Sequence, residues 1–538
     1  SFLRSAKPRR KQRLSMAKWW LQAPAATPLW AAGILLLGIG PVWKWLVKGK
    51  REEDRFPKVP GLWFFGVTCE FGFNFLFHYF YPKMDQFSKQ FGAEGAYELH
   101  VLGKRVVICC SWESAKEVFA YSPHVVVKSD PITAAPFMGS VGASIGHDWH
   151  RELRLMAPFF SQKPVGEATS RLRRIAEKAV TMMTVQCNHA CHKSSDAGTV
   201  VDLNVLTPMV IEDLQSHFCA GAELHMNEAK SRAWSQALWV VFELSAVRSI
   251  FHWLLPLPYW KIPGLGNLDG LLTAQRNLAE ATMKLNEGEG NPDNGTFVGR
   301  LKYMVQNGEM EPHHMVVTLA GFTFELHALA PFLCLALLHL SKLPDVQNSI
   351  ATELEMSGAR DAESKSIWAE ALFLETLRFY PFEISTFETA ESIVIAGRQV
   401  PQGTKIFPHM THIMRHLKHP KLGDDPEDFR PGRWVGPDGI IDAEPVNSLA
   451  FTRGRQCVGQ HLARALGIRI IGEVARTFSL KAVNQKPVEV DPITRVPVDA
   501  NICVRLRKPE ACQVSAKSNS VNEMTSLRGQ DAQDISNL

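Results

Sequence analysis

The chain has 538 residues, 46% of them apolar and 21% charged, an ordinary globular balance with length for a large buried core. Its ten cysteines are scattered, which excludes a secreted disulfide framework and fits a reducing compartment. The net charge of +5 is mild and front-loaded, and no aromatic-and-basic pattern elsewhere points to nucleic acid.

No Asp or Glu precedes Glu52, whereas Arg4, Lys7, Arg9, Arg10, Lys11, Arg13 and Lys18 do. Residues 1–27 therefore read as a basic extension suited to an anionic membrane surface or a targeting signal. The stretch PLWAAGILLLGIGPVW at 28–43 is apolar throughout, and KWLV extends it to 47. A span needs about 20 residues. Trp30, Trp43 and Trp45 suit the interfaces and Lys44 can snorkel, so 28–47 predicts a single-span anchor; a cleaved or organellar targeting segment is the competing reading. Pro57, Pro60 and Gly61 stiffen a linker over 48–61.

The main body is expected over 62–510. A helix near 74–91 leads into strand-like residues 96–110, with a hairpin signal at Gly103-Lys104. From 112 to 380 the pattern is mostly helical. CNHACHK at 187–193 lacks a second half-site for zinc and reads as polar helix or loop. The aromatic, proline-broken stretch 250–266 is either a core loop or a second patch dipping into lipid, and 285–295 is a Gly/Asn/Asp loop. The polar composition of residues 511–538 predicts a disordered tail.

Three motifs carry chemistry. In FTRGRQCVGQ at 451–460, Cys457 stands just ahead of a helix whose Leu462, Leu466, Ile470 and Val474 make an apolar face. Backbone N–H groups and the helix dipole favour a thiolate there, and Arg453 and Arg455 add positive charge. Gly454 and Gly459 let the backbone approach a flat ligand. A thiolate under a planar cofactor suggests haem iron. In ETLRFYP at 375–381, Glu375 and Arg378 lie one turn apart amid apolar neighbours, which favours a buried pair. In PEDFRPGRW at 426–434, Arg433 is placed to join that pair.

With these three motifs in this order, and Arg433 preceding Cys457 by 24 residues, the chain resembles the cytochrome P450 family over about 56–508. The resemblance implies a mainly α fold with a small β-rich lobe, haem b, and Cys457 as axial ligand of its iron. It assigns Trp149, Arg455, Phe451 and Gly459 to cofactor binding, and Glu375, Arg378 and Arg433 to a structural network. The chain also departs from the family. Phe451 and Gly454 stand one residue too close to Arg455, Cys457, Gly459 and Ala463, which alters the loop around the sulfur. Leu153 stands where the family's Trp-x-x-x-Arg pattern puts arginine, so Arg154 is the preferred substitute for propionate pairing, ahead of Arg151.

The oxygen-binding helix, expected within 315–347, lacks the family's acid–alcohol pair. Starting from Ala320-Gly321, Thr323 and Phe324 take the two positions; counting back from Pro344, His327 and Ala328 do, and this register is preferred. His327 is the leading proton relay because imidazole titrates near working pH, with Thr323 and Glu325 as the other candidates. Pro331 is expected to kink the helix.

By this resemblance the protein is a monooxygenase. It uses O2 and electrons from an NADPH-dependent reductase or ferredoxin on an apolar lipid, sterol or terpenoid-like substrate. The expected location is the endoplasmic reticulum membrane, with the body on the cytosolic side, or another organelle. Two alternatives stand beside it. One is a reductase-independent hydroperoxide isomerase, dehydratase or peroxygenase on the same fold; the other is a non-catalytic haem-binding protein.

Overall fold

The computed structural model describes residues 56–61, 80–101, 104–128, 141, 144–191, 198–220, 295–356, 366–381, 387–416, 425–451, 454–490 and 496–507. The basic extension, the 28–47 anchor, the 250–266 stretch, Arg453 and the tail lie outside these.

In chain order the helices used below are α1 (Phe80–Phe91), α2 (Trp112–Tyr121), α3 (Gly146–Phe160), α4 (Thr169–Cys191), α5 (Leu203–Leu214), α6 (Pro312–His327), α7 (Leu329–Leu340), α8 (Pro344–Met356), α9 (Ile367–Phe379), α10 (Met410–Arg415) and α11 (Gln460–Thr477). The strands are β1 (Ala96–Val101), β2 (Lys104–Cys109), β3 (Val126–Lys128), β4 (Thr199–Asp202), β5 (Phe387–Thr389), β6 (Ile393–Ile395), β7 (Arg398–Val400), β8 (Lys405–Pro408), β9 (Phe478–Ala482) and β10 (Asn501–Leu506). They form a five-stranded sheet in the order β1-β2-β8-β5-β3, a three-stranded sheet β4-β10-β9 and the hairpin β6-β7. The expected hairpin is present: β1 and β2 pair antiparallel, with Val101 opposite Lys104.

The core is helical. α7 reads as apolar on every side, and from Leu329 to Leu338 every residue is buried, which makes it a central helix. α11 turns Leu462, Leu466, Ile470 and Val474 inward, as their spacing requires. It packs close to α9 because Gly467 carries no Cβ; one there would stand 2.6 Å from the Phe373 ring. Phe373 in turn meets Phe332 of α7 edge-on at 4.7 Å. α9 starts cleanly because the Ser366 side chain accepts from the Ala369 N–H.

The apolar run 315–347 is not one helix. α6 ends at His327, Ala328 is a turn, and α7 resumes at Leu329. Pro331 has no N–H to give the His327 carbonyl four residues back, which accounts for the break. No single described helix is long and apolar enough to cross a membrane; Glu325–Leu340 with Pro344–Met356 passes together on length and composition, bent by 103°.

Candidate functional site

Cys457 lies three residues ahead of α11. Its N–H donates to the Phe451 carbonyl at 2.9 Å, and its carbonyl accepts from the Gln460 N–H at 3.3 Å, so the loop closes on itself just ahead of the helix. Gly454 makes this closure possible. Its φ of +91° is in the left-handed region, and a Cβ there would stand 2.7 Å from the carbonyl oxygens of Phe119 and Ser122 at the end of α2. The loop is thus pressed against α2 despite its one-residue shortening.

The thiol is enclosed by protein mass, yet its side chain keeps an open face. Enclosure pushes its pKa up to about 11, opposed by hydrogen bonds from the Gly459 and Gln460 backbone and reinforced by the charge of Glu325. Left alone, the sulfur is therefore a neutral thiol at pH 7; binding a metal deprotonates such a thiol outright. Two backbone donors aimed at one sulfur beside a helix N-terminus fit a metal-bound thiolate.

Beside the sulfur stand Arg455 and Trp149. The Arg455 guanidinium lies 4.8 Å from the centre of the Trp149 ring and donates to the carbonyls of Val141 at 3.1 Å and Ser144 at 2.8 Å. Burial lowers its pKa to about 10, with Glu325 opposing, so it stays charged at pH 7. Arg455 is thus a fixed cation at the rim, as a propionate partner must be. Phe451 is half-buried against the core and acts through its carbonyl.

Arg154 needs a correction. It sits on the exposed face of α3, whereas Trp149 is buried and Leu153 packs against the core. Five residues correspond to about 140° of helix rotation, so Arg154 cannot share a face with Trp149, while Leu153 does. Arg151 is also turned away, pairing with Asp148 at 3.1 Å and with Glu152. Arg455 is the one described arginine placed on Trp149.

Glu325 comes from α6. Its charge acts on both Arg455 and Cys457. His327 stands about 200° further round the helix, too far to share a face with Glu325. It is buried, and burial lowers its pKa to about 3. The expectation that this imidazole titrates near working pH is therefore corrected: it is neutral there. The Thr323 side chain lies outside the described residues.

Behind the site the three-part network is assembled. Arg378 grips Glu375 with two bonds, Nε to Oε2 at 2.9 Å and Nη2 to Oε1 at 2.8 Å. Arg433 Nε adds a contact to Oε1 at 3.2 Å. The remaining carboxylate capacity is filled by the Trp434 indole N–H at 2.9 Å and the Arg430 backbone N–H at 2.8 Å. Arg378 also donates to the carbonyls of Met414, Pro426 and Asp428, which ties α9 to the segment leading toward the cysteine loop. Glu375 and Arg378 are buried, and such a pair survives only when its bonding groups are filled, as they are here.

Sequence reasoning passed over Trp434 as a network member and missed Glu152 entirely. Glu152 is fully buried on α3, one turn after Trp149. It accepts from Thr318 Oγ1 at 3.1 Å and pairs with His314 at 2.8 Å, so it clamps α3 to α6. The available signal was one acidic residue on the buried face of an amphipathic helix.

The family model described as Cytochrome P450 matches residues 57–504. The chain belongs to the cytochrome P450 family. Among its relatives are the cytochrome P450 monooxygenase claR of Ampulloclitocybe clavipes, 24% identical over 56% of this chain and 56% of that protein, and the cytochrome P450 monooxygenase ACRTS1 of Alternaria alternata, 25% identical over 32% of this chain and 48% of that protein. Cytochrome P450 1B1 of Rattus norvegicus is 27% identical over 28% of this chain and 29% of that protein. The aligned part thus spans at most 56% of these P450 relatives. Haem is the cofactor of the family, and the donor set around Cys457 fits it.

Proposed function

We propose that this P450 is a haem-thiolate monooxygenase acting on an apolar substrate of lipid, sterol or terpenoid character. Haem b ligated by a thiolate supplies reductive activation of O2 and cleavage of the O–O bond. The net reaction inserts one oxygen atom into a substrate C–H bond and releases the other as water, consuming two electrons and two protons. Electrons would come one at a time from an NADPH-dependent reductase or ferredoxin. The reading also places the chain on a membrane through residues 28–47, at the endoplasmic reticulum or another organelle.

The single observation that carries the proposal is that Cys457, Arg455 on Trp149 and the charge of Glu325 act on one another at one place. Cys457 presents its sulfur under two backbone N–H donors. Arg455, resting on Trp149, holds positive charge at the rim for a propionate. Glu325, whose charge reaches both groups, is the carboxyl group we assign to proton delivery. It stands in for the acid of the missing acid–alcohol pair. His327, neutral and buried, is left as a structural residue of the break between α6 and α7.

A second reading rests on the missing alcohol. In the preferred register Ala328 stands where the hydroxyl belongs, and a hydroperoxide isomerase or peroxygenase does without it because the O–O bond arrives already formed. The two readings separate in one experiment. The haem-loaded protein is given NADPH, a reductase and a panel of fatty acids and sterols, or else a lipid hydroperoxide with no reductase. Hydroxylated product coupled to NADPH consumption is expected; turnover of the hydroperoxide alone would transfer the proposal to the second reading.

A further inference from the structure

Away from the sulfur, three metal-ligating side chains converge where α1 meets α10. His412 and His416 are four residues apart and so project from one face. The His416 N–H bonds to the His412 carbonyl at 2.8 Å, which carries the helical spacing across the end of α10. Asp85 comes from α1. Its Oδ1 lies 2.7 Å from His412 Nδ1 and 3.6 Å from His416 Nε2. All three ligand atoms fall within 4.8 Å of one another. Glu427, from the segment before the Arg433 turn, puts Oε1 3.5 Å from the same nitrogen of His416.

We propose that Asp85, His412 and His416 form a three-residue binding site for a divalent transition ion of the zinc class, which Glu427, beside His416, completes by a side-chain rotation. Tetrahedral zinc at about 2.0–2.1 Å from nitrogen and oxygen ligands separates neighbouring ligand atoms by roughly 3.3–3.4 Å. The 3.5 and 3.6 Å separations already lie close to that value. The 2.7 Å contact is a hydrogen bond that opens slightly when its proton is replaced by the ion. Two imidazoles and a carboxylate suit a borderline-soft ion better than calcium or magnesium, which favour all-oxygen sites.

The surroundings support ligation. Burial opposes charge on Asp85, but hydrogen bonds from His412, His416 and Lys89 outweigh it and hold the carboxyl well below the usual range. Geometry already turns Asp85 Oδ1 toward both histidines, at 2.7 Å from His412 Nδ1 and 3.6 Å from His416 Nε2. The His412 ring is fixed between neighbours: His409 stacks on it at 5.6 Å, and His416 lies 4.3 Å away. His409 is itself anchored to Ser88 of α1 at 2.9 Å. The competing cation is Lys89, which holds Asp85 Oδ2 at 2.9 Å and Glu427 Oε1 at 3.4 Å. The histidines use the other oxygen of Asp85, so lysine and metal compete only for Glu427. The Lys89 side chain is half-exposed and free to swing aside.

A bound ion would clamp α1 to α10 and to residues 425–428, whose carbonyls receive Arg378 and Arg433. The site thus ties the amino-terminal part of the described fold to the charge network, without touching Cys457 or Glu325.

The test is a titration of the haem-loaded protein with Zn2+ against a chromophoric chelator, repeated with Co2+ to read coordination from its visible bands. Wild type is expected to take up one tight equivalent with a tetrahedral cobalt spectrum. His416→Ala is expected to weaken binding by more than the roughly 10–100-fold that loss of an outer-shell partner costs. If that variant misfolds by circular dichroism, His416→Gln, which keeps the side-chain bulk, gives the same reading. Lys89→Gln is expected to bind zinc more tightly, because it removes the rival cation; a purely structural ion-pair cluster has no reason to respond in that direction. Absence of a saturable equivalent in wild type, equal affinity in a His412→Ala/His416→Ala double variant, or weaker binding in Lys89→Gln would each overturn the proposal.

Discussion

Glu375→Ala is expected to destabilise the fold by about 3–5 kcal/mol, the cost of leaving a buried charge without its partner. The carboxylate accepts from Arg378, Arg433, Trp434 and the Arg430 backbone, so its removal strands two guanidinium groups and an indole N–H together. Neither arginine side chain has water to turn to, each being 1% exposed. The measurement is the denaturant midpoint at unchanged slope, with haem retention as a second readout. Haem retention should fall as well, because the network ties α9 to the segment that precedes the cysteine loop. A loss below 1 kcal/mol, the value of an exposed pair, would show that the network is no more than surface decoration.

Glu325→Gln is expected to lower the rate of substrate oxidation by about 10²-fold, at the lower end of what a positioned general acid supplies. The substitution keeps size and hydrogen bonding and removes only the ability to give and take a proton. NADPH oxidation should fall less than product formation, with the difference released as hydrogen peroxide, and the solvent isotope effect should grow. The substitution also removes a negative charge that now raises the Cys457 thiol, so thiolate formation should become easier. His327→Ala provides the contrast. Because burial holds His327 neutral, with its pKa near 3, its loss should affect stability more than proton delivery. Equal rates in Glu325→Gln and wild type, with unaltered coupling, would remove Glu325 from the reaction.

Much of this architecture is legible in the sequence. The helix after Cys457 was readable because four apolar residues repeat at a spacing of four, and burial of that face is what holds it. The β1–β2 hairpin is readable from the strand-like runs on either side of Gly103-Lys104. The pairing of Glu375 with Arg378 followed from a separation of one helical turn in apolar company. Pro331 announced the break that separates α6 from α7.

What was not legible depends on rotation and on partners distant in sequence. The pattern could name Glu325 and His327 together, but a helix presents residues two apart to opposite sides, and nothing local says which side faces the sulfur. The same rotation defeats Arg154: a shift of one position from Leu153 carries it from the buried face into solvent. Glu152 meets His314 and Thr318 from a helix more than 160 residues away, and Asp85 meets His412 across a separation of 327 residues. Such meetings are set by tertiary packing, and single-sequence periodicity does not encode them.

The central claim is that the sulfur of Cys457 binds haem iron, and the absorption spectrum of the reduced, CO-bound protein tests it most directly. Wild type should show the band characteristic of thiolate-ligated haem, and Cys457→His, which offers imidazole in place of sulfur, should retain haem while losing that band. A wild-type spectrum without it, or the same thiolate band in Cys457→His, would contradict the assignment.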